Sequence, residues 1–162
     1  MAVLIEIRDK TNGQVLHRLE AKKLEGADLR ACQLQRASLA RATLCRIKLQ
    51  GADLEEADLT FANLSHANLS QANLIRANLA GAFLIGADLS SAELGSVNLH
   101  NANLFQADLR RAHLEGARLT GADLSETQLE EADLTAAVYD DRTLWPQDFD
   151  VAASGAIVLG DE

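Results

Sequence analysis

Residues 62–79 read Ala-Asn-Leu-Ser-His-Ala-Asn-Leu-Ser-Gln-Ala-Asn-Leu-Ile-Arg-Ala-Asn-Leu, with leucine at every fifth residue and alanine two places before each leucine. The pattern extends outward from this stretch in both directions. Leucine holds every fifth position from Leu19 to Leu134, 24 in all, and the 23 positions that lie two residues before Leu29 and so on to Tyr139 hold 19 alanines. The four exceptions are Cys32, Ile47, Val97 and Thr127.

A period of five suits neither regular secondary structure. Five steps along an α-helix leave successive leucines about 140° apart, so they form no stripe. In a strand the alanine and leucine of one pair share a face, but the next leucine falls on the opposite face. Every pair can point inward only if the chain bends by about a right angle once per pentapeptide. Four pentapeptides then close a square coil of about twenty residues, and stacked coils pair as parallel strands. At the strand spacing each coil rises about 4.8 Å, so six coils form a rod roughly 29 Å long, filled by a ladder of leucines. Alanine follows from the narrow bore, because overpacking by a larger residue costs typically about 1–3 kcal/mol. Ile47 and Val97 are therefore expected to mark local strain or wider coils.

The runs Ala62-Asn63-Leu64-Ser65, Ala67-Asn68-Leu69-Ser70 and Gly121-Ala122-Asp123-Leu124-Ser125 resemble the pentapeptide repeat proteins, over roughly residues 19–138. The resemblance implies an all-β fold, the right-handed quadrilateral parallel β-helix of that family. The handedness comes from the resemblance and not from the spacing. Many such proteins carry phenylalanine at some central positions, where this chain has only leucine, which suggests uniform coils of one turn type.

The 162 residues contain one unbroken repeat and no Pro- or Ser-rich linker within it, so a single domain is expected. Solenoid ends expose strand edges and an open core, and they need plugs. Residues 3–8 and 14–19 flank Asn12-Gly13, a hairpin turn signal, and residues 1–18 are read as an N-terminal β-hairpin cap. After the repeat at 19–138, the frame decays through Tyr139 and Leu144. Residues 139–162 are read as a C-terminal cap, irregular or helical, in which Trp145, Pro146, Phe149, Ile157, Val158 and Leu159 close the last coil. The start of the chain is charged too soon for a signal peptide, and no run approaches the length of a membrane helix, so the expectation is a cytoplasmic protein away from membranes. Cys32 falls at an inward position and Cys45 outward on another face, which suits two free thiols.

Nothing in the pattern provides an enzyme's cleft or a cofactor site. His17, His66, His100 and His113 occupy different phases, and adding twenty to any of them reaches no other histidine, so no metal site is read from them. Glycines recur at the corner before alanine, where a small residue eases the turn.

Two surface features bear on function. The first is charge: residues 1–50 carry 10 Lys and Arg against 5 Asp and Glu, and residues 51–162 carry 5 against 19. The second is a set of apolar residues at outward positions on one side. Ile85 and Phe105 share a slot one coil apart, Phe83 lies on the same side, and Phe61 sits at the corner leading into it. The set suits either side chains packed on one another or a contact surface. The reading is a non-enzymatic rigid interaction protein that binds a macromolecular partner, expected to be a protein rather than nucleic acid, through Phe61, Phe83, Ile85 and Phe105. The alternative comes from the resemblance: an acidic mimic of DNA that binds DNA gyrase or a related type II topoisomerase. It would use Asp53, Glu55, Asp58, Asp108, Asp123, Glu130 and Asp133.

Overall fold

The computed structural model describes residues 2–160; Met1, Asp161 and Glu162, the outermost residues of the two expected caps, lie outside it. Its architecture is a β-helix solenoid. Single parallel rungs join each outward residue to the one twenty places on, in series such as Thr43 to Asn63 to Phe83 to Asn103 to Asp123. A run of only about three extended residues separates one bend from the next, so each rung stands alone instead of widening into a long strand. The backbone is nevertheless tied from coil to coil: Leu64 donates its N–H to Phe83 at 2.7 Å, and Phe83 donates to Ala62 at 2.9 Å.

Each bend is a β-turn. The alanine N–H donates to the leucine carbonyl three residues earlier, as from Ala67 to Leu64 at 2.9 Å. The third turn residue has a positive φ at every corner from Gly26 to Ala136, which is the signature of a type II turn. Most of these corner residues are not glycine. Arg36, Phe61 and Glu126 hold φ of 57°, 56° and 57°, a conformation that costs an L-residue about 1–2 kcal/mol. The conformation persists where the corner is held from the next coil, as by the 2.9 Å bond from the Phe61 N–H to the Ala80 carbonyl; from Gly26 to Gly116 every corner N–H makes such a bond. One turn type throughout agrees with the all-leucine centre.

Glycine at a corner therefore needs a second reason, and at Gly81 that reason is space. A β-carbon there would lie 2.4 Å from the ring of Phe61, which leans over the corner of the next coil. At Gly51 the same carbon would meet nothing within 4 Å.

The leucines from Leu29 to Leu134 and nearly all the alanines are buried in one continuous core. Ile47 and Val97 are buried too, and the rungs beside them, at Lys48 and Asn98, remain in register. Thr127 fills an alanine slot by donating its hydroxyl to the Leu104 carbonyl at 2.9 Å, which satisfies a buried polar group. Cys32 and Cys45 are both free thiols.

At the N-terminal end, strand β1 (Val3–Arg8) pairs antiparallel with β2 (Val15–Ala21). Leu19, first in the numerical frame, lies in β2 opposite Ile5. The hairpin then docks on the first coil. Asp9 pairs antiparallel with Ala37, the Ser38 N–H donates to the Arg8 carbonyl at 2.8 Å, and Ile7 is buried. The buried Asp9 carboxylate accepts from Thr11 and pairs with Arg36 at 2.8 Å, and these partners hold it well below the usual carboxylate range.

At the other end the coil lengthens by one residue. Arg118 pairs with Val138, twenty places on, but Asp123 pairs with Leu144, twenty-one places on. The extra residue lies between Tyr139 and Thr143. Thr143 takes the alanine slot and donates to the Leu119 carbonyl at 2.9 Å, and Trp145 moves into the central slot against Tyr139 and Phe149, at ring separations of 5.4 and 5.3 Å. The Asp140 carboxylate receives the Gly121 N–H at 2.8 Å, a bond that a backbone carbonyl makes at the other corners of this row. The expected closure by six apolar residues is therefore only partly realised. Trp145 and Phe149 pack on the core, whereas Ile157, Val158 and Leu159 are more than half exposed. They contribute backbone instead: β3 (Val138–Tyr139) pairs in parallel with β4 (Ile157–Val158), which covers an edge of the last coil. The cap forms turns and this strand, with no helix among the described residues.

Candidate partner-binding face

On most sides of the rod, the outward residue before each leucine has a structural task. The side-chain oxygen of an Asp or Asn there accepts the N–H two residues on and closes an Asx turn at the corner. Asn63 accepts from Ser65 at 3.1 Å, Asn68 from Ser70 at 3.1 Å and Asp88 from Ser90 at 3.0 Å, with the serine hydroxyls donating to the same oxygens. Neighbouring rungs also share amide hydrogen bonds, as from Asn98 to Asn78 at 3.0 Å.

Phe83 breaks this arrangement. Between Asp53 and Asp108 the slot holds Asp or Asn everywhere except Phe83 and Glu93. A phenylalanine cannot accept the Ile85 N–H, and its ring is 46% exposed. Directly below and above it, Asn63 and Asn103 both close their turns. Phe61 is 53% exposed; its ring leans over Gly81 and carries the Arg41 guanidinium 5.6 Å from its centroid, a cation–π contact. Ile85 and Phe105 are half-buried in one row, one coil apart. All four residues therefore lie on one side. Among the described residues the aromatic ring pairs belong to the C-terminal cap and not to this side, so its rings are not stacked on one another.

The family model described as pentapeptide repeats (8 copies) matches at residues 23–60, 37–74, 52–90, 67–104 and 98–135. This chain belongs to the pentapeptide repeat family. A solved pentapeptide repeat protein from Nostoc PCC 7120 is 35% identical, over 69% of this chain and 84% of that one, with a TM-score of 0.34. A second, from the thylakoid lumen of Arabidopsis thaliana, is 29% identical over 73% and 68%, with a TM-score of 0.46. QnrB1, a plasmid-mediated fluoroquinolone resistance protein, is 15% identical over 83% and 85%, with a TM-score of 0.44. No curated protein sequence matches the chain. Among the described residues of this pentapeptide repeat protein, no helix is long and apolar enough to cross a membrane.

The acidic residues of the alternative reading are distributed over the rod, and most have local work. Asp53, Asp58, Asp123 and Asp133 each accept the N–H two residues on, at 3.1, 3.1, 2.9 and 2.9 Å. Asp108 does the same for Arg110 at 3.0 Å and also pairs with its guanidinium, which holds the carboxyl below its usual range. Glu55 pairs with Arg76 at 2.7 Å, and Glu130 borders an open hollow beside Arg110 and Arg111. Sequence reasoning missed the turn-closing role of these aspartates. The signal was present in the regular Asp or Asn before each leucine, often followed two residues later by Ser or Thr.

Proposed function

We propose that this chain is a non-enzymatic interaction protein of the cytoplasm, a right-handed rod of about six coils that presents a rigid face to a protein partner. The contact face is the side carrying Phe61, Phe83, Ile85 and Phe105. The observation that carries this reading is Phe83, where an exposed ring stands in a slot whose neighbours close their turns, at the expense of a local hydrogen bond. Exposed aromatic anchors of this kind concentrate binding energy when a partner buries them. Arg41 over Phe61 sets the chemistry of the partner: an apolar pocket with carboxylates at the edge nearest the guanidinium. The rigid ladder adds little ordering cost on binding, since the rings project from a backbone already fixed.

The test is capture from host lysate by the wild type beside Phe83→Asn, a substitution that restores the turn-closing acceptor. A protein held by the wild type and lost with Phe83→Asn, at an unchanged β-sheet circular dichroism signal, supports the face. Equal capture by both would overturn it. The alternative, an acidic DNA mimic that binds gyrase or a related topoisomerase, draws support from the carboxylate oxygens that the turns leave outward at Asp58 and Asp123. It differs in one measurable respect: charge-led binding falls steeply with added salt, whereas binding led by the rings does not.

A further inference from the structure

His113, Glu115 and Asp133 each bring a ligand atom to one place, all within 4.8 Å of one another. His113 and Asp133 are bridged rungs of adjacent coils, so their side chains leave the same side one above the other. Glu115 stands two residues after His113, with a carboxylate oxygen 3.8 Å from the imidazole Nδ1. Asp133 Oδ1 accepts the Thr135 N–H at 2.9 Å, which orients the carboxylate and leaves Oδ2 for another ligand.

Two further observations single out this cluster. Many carboxylates on this rod have an arginine partner, as in Asp28 with Arg30, Asp140 with Arg142 and Glu55 with Arg76. Among the described residues, Glu115 and Asp133 form no ion pair with any lysine or arginine; their neighbours are the His113 imidazole and, for Asp133, the Thr135 N–H and hydroxyl. His113 also occupies an outward slot where Asp or Asn would have closed the turn, as Asp133 does directly above it. The other histidines are engaged differently. His66 lies against Gly86, His100 Nδ1 meets the Thr120 hydroxyl at 2.8 Å, and His17 faces the Cys32 sulfur at 3.8 Å.

We propose that His113, Glu115 and Asp133 bind one divalent transition-metal ion of the zinc type, which bridges two adjacent coils. One imidazole nitrogen and two carboxylate oxygens form a three-ligand set that leaves a position for water. The imidazole selects against calcium, which takes about 6–8 oxygens, and against magnesium, which is bound through oxygen. Bonds of about 2.0–2.2 Å require the ligand atoms to close in from their present spacing. Rotation of the exposed His113 and Glu115 side chains supplies that movement while the rungs stay fixed.

Calorimetric titration of the full-length chain with zinc chloride, beside calcium chloride, tests the site. One equivalent of zinc should bind saturably, at least about tenfold more weakly in His113→Ala and in Asp133→Asn, and unchanged in His66→Ala, with calcium giving no comparable heat. Circular dichroism of each variant checks that the coils persist. Three results would overturn the site: no saturable zinc binding, equal zinc binding by His113→Ala, or a loss in His66→Ala as large as in His113→Ala. Calcium binding as tight as zinc would overturn the assigned ion class.

Discussion

In a middle coil a residue's number gives its direction, whereas in the last coil it does not. Leu64, Leu84 and Leu104 stand twenty residues apart and are all fully buried. Leu144 continues the same count and is 53% exposed, while Trp145 takes the central slot beside it. The two regions differ by one added residue, and that residue exchanges inside for outside. Register, not residue type, decides which side chains form the core, because neighbouring positions of an extended chain face opposite ways.

The largest contrast is between two leucines. Leu79→Ala should cost about 2–5 kcal/mol, the range for a buried leucine that leaves a cavity. Leu144→Ala should remain within about 0.5 kcal/mol, as for an exposed side chain. Urea denaturation compares them, and equal costs would break the contrast between middle and last coil.

A smaller effect separates two corners with the same backbone. Gly51→Ala should cost about 1 kcal/mol from its left-handed φ alone. Gly81→Ala should cost roughly 1 kcal/mol more, because the new carbon displaces the Phe61 ring. In a double-mutant cycle Phe61→Ala should remove that excess. An excess that persists in the absence of the ring would mean that space is not the reason for glycine at 81.

Acid tests the last coil through its own probe, Trp145. Burial opposes the charge on Asp140, but the Arg142 guanidinium, the Gly121 N–H and the Thr143 hydroxyl together hold its carboxyl down from 3.8 to about 2. A depressed carboxylate contributes stability that is fully present above 3.8 and is lost as the pH falls toward about 2. Tryptophan fluorescence should therefore change across that window in the wild type, and the transition should be absent in Asp140→Asn. A transition that survives in Asp140→Asn would assign it to another group.

The smallest effect has the opposite sign. Phe83→Asn should stabilise the rod by about 1 kcal/mol, the net worth of the restored turn hydrogen bond, while it removes the proposed partner contact. A loss of stability on thermal melting would show that the ring supports the rod itself.

Much of this was legible in the chain. The leucine spacing gave the coil of twenty residues, and Asn12-Gly13 marked the hairpin. The side carrying Phe61, Phe83, Ile85 and Phe105 followed from counting modulo twenty, although the count did not show that Phe61 would lie over Gly81 and under Arg41. The inserted residue near Asp140 could not be seen, since Leu144 preserves the count that the backbone abandons. The exposure of Ile157, Val158 and Leu159 was missed for a related reason: composition suggested a plug, while the last coil needed an edge strand. The cluster at His113 was not legible in the histidine spacing, because the residue twenty places on is an aspartate, Asp133, and not a second histidine.

The constant offset of twenty also constrains how such a chain can change length. The core reads only the count of five, so one added pentapeptide in the middle would leave every later leucine pointing inward. The surface reads the count of twenty, and the same insertion would turn everything beyond it by a quarter revolution. Phe83 and Phe105 would then stay on one side only if both lay before the insertion or both after it. Whole coils are thus the natural unit of growth for a rod whose surface pattern matters, and a single pentapeptide is a way to reassign faces without disturbing the interior.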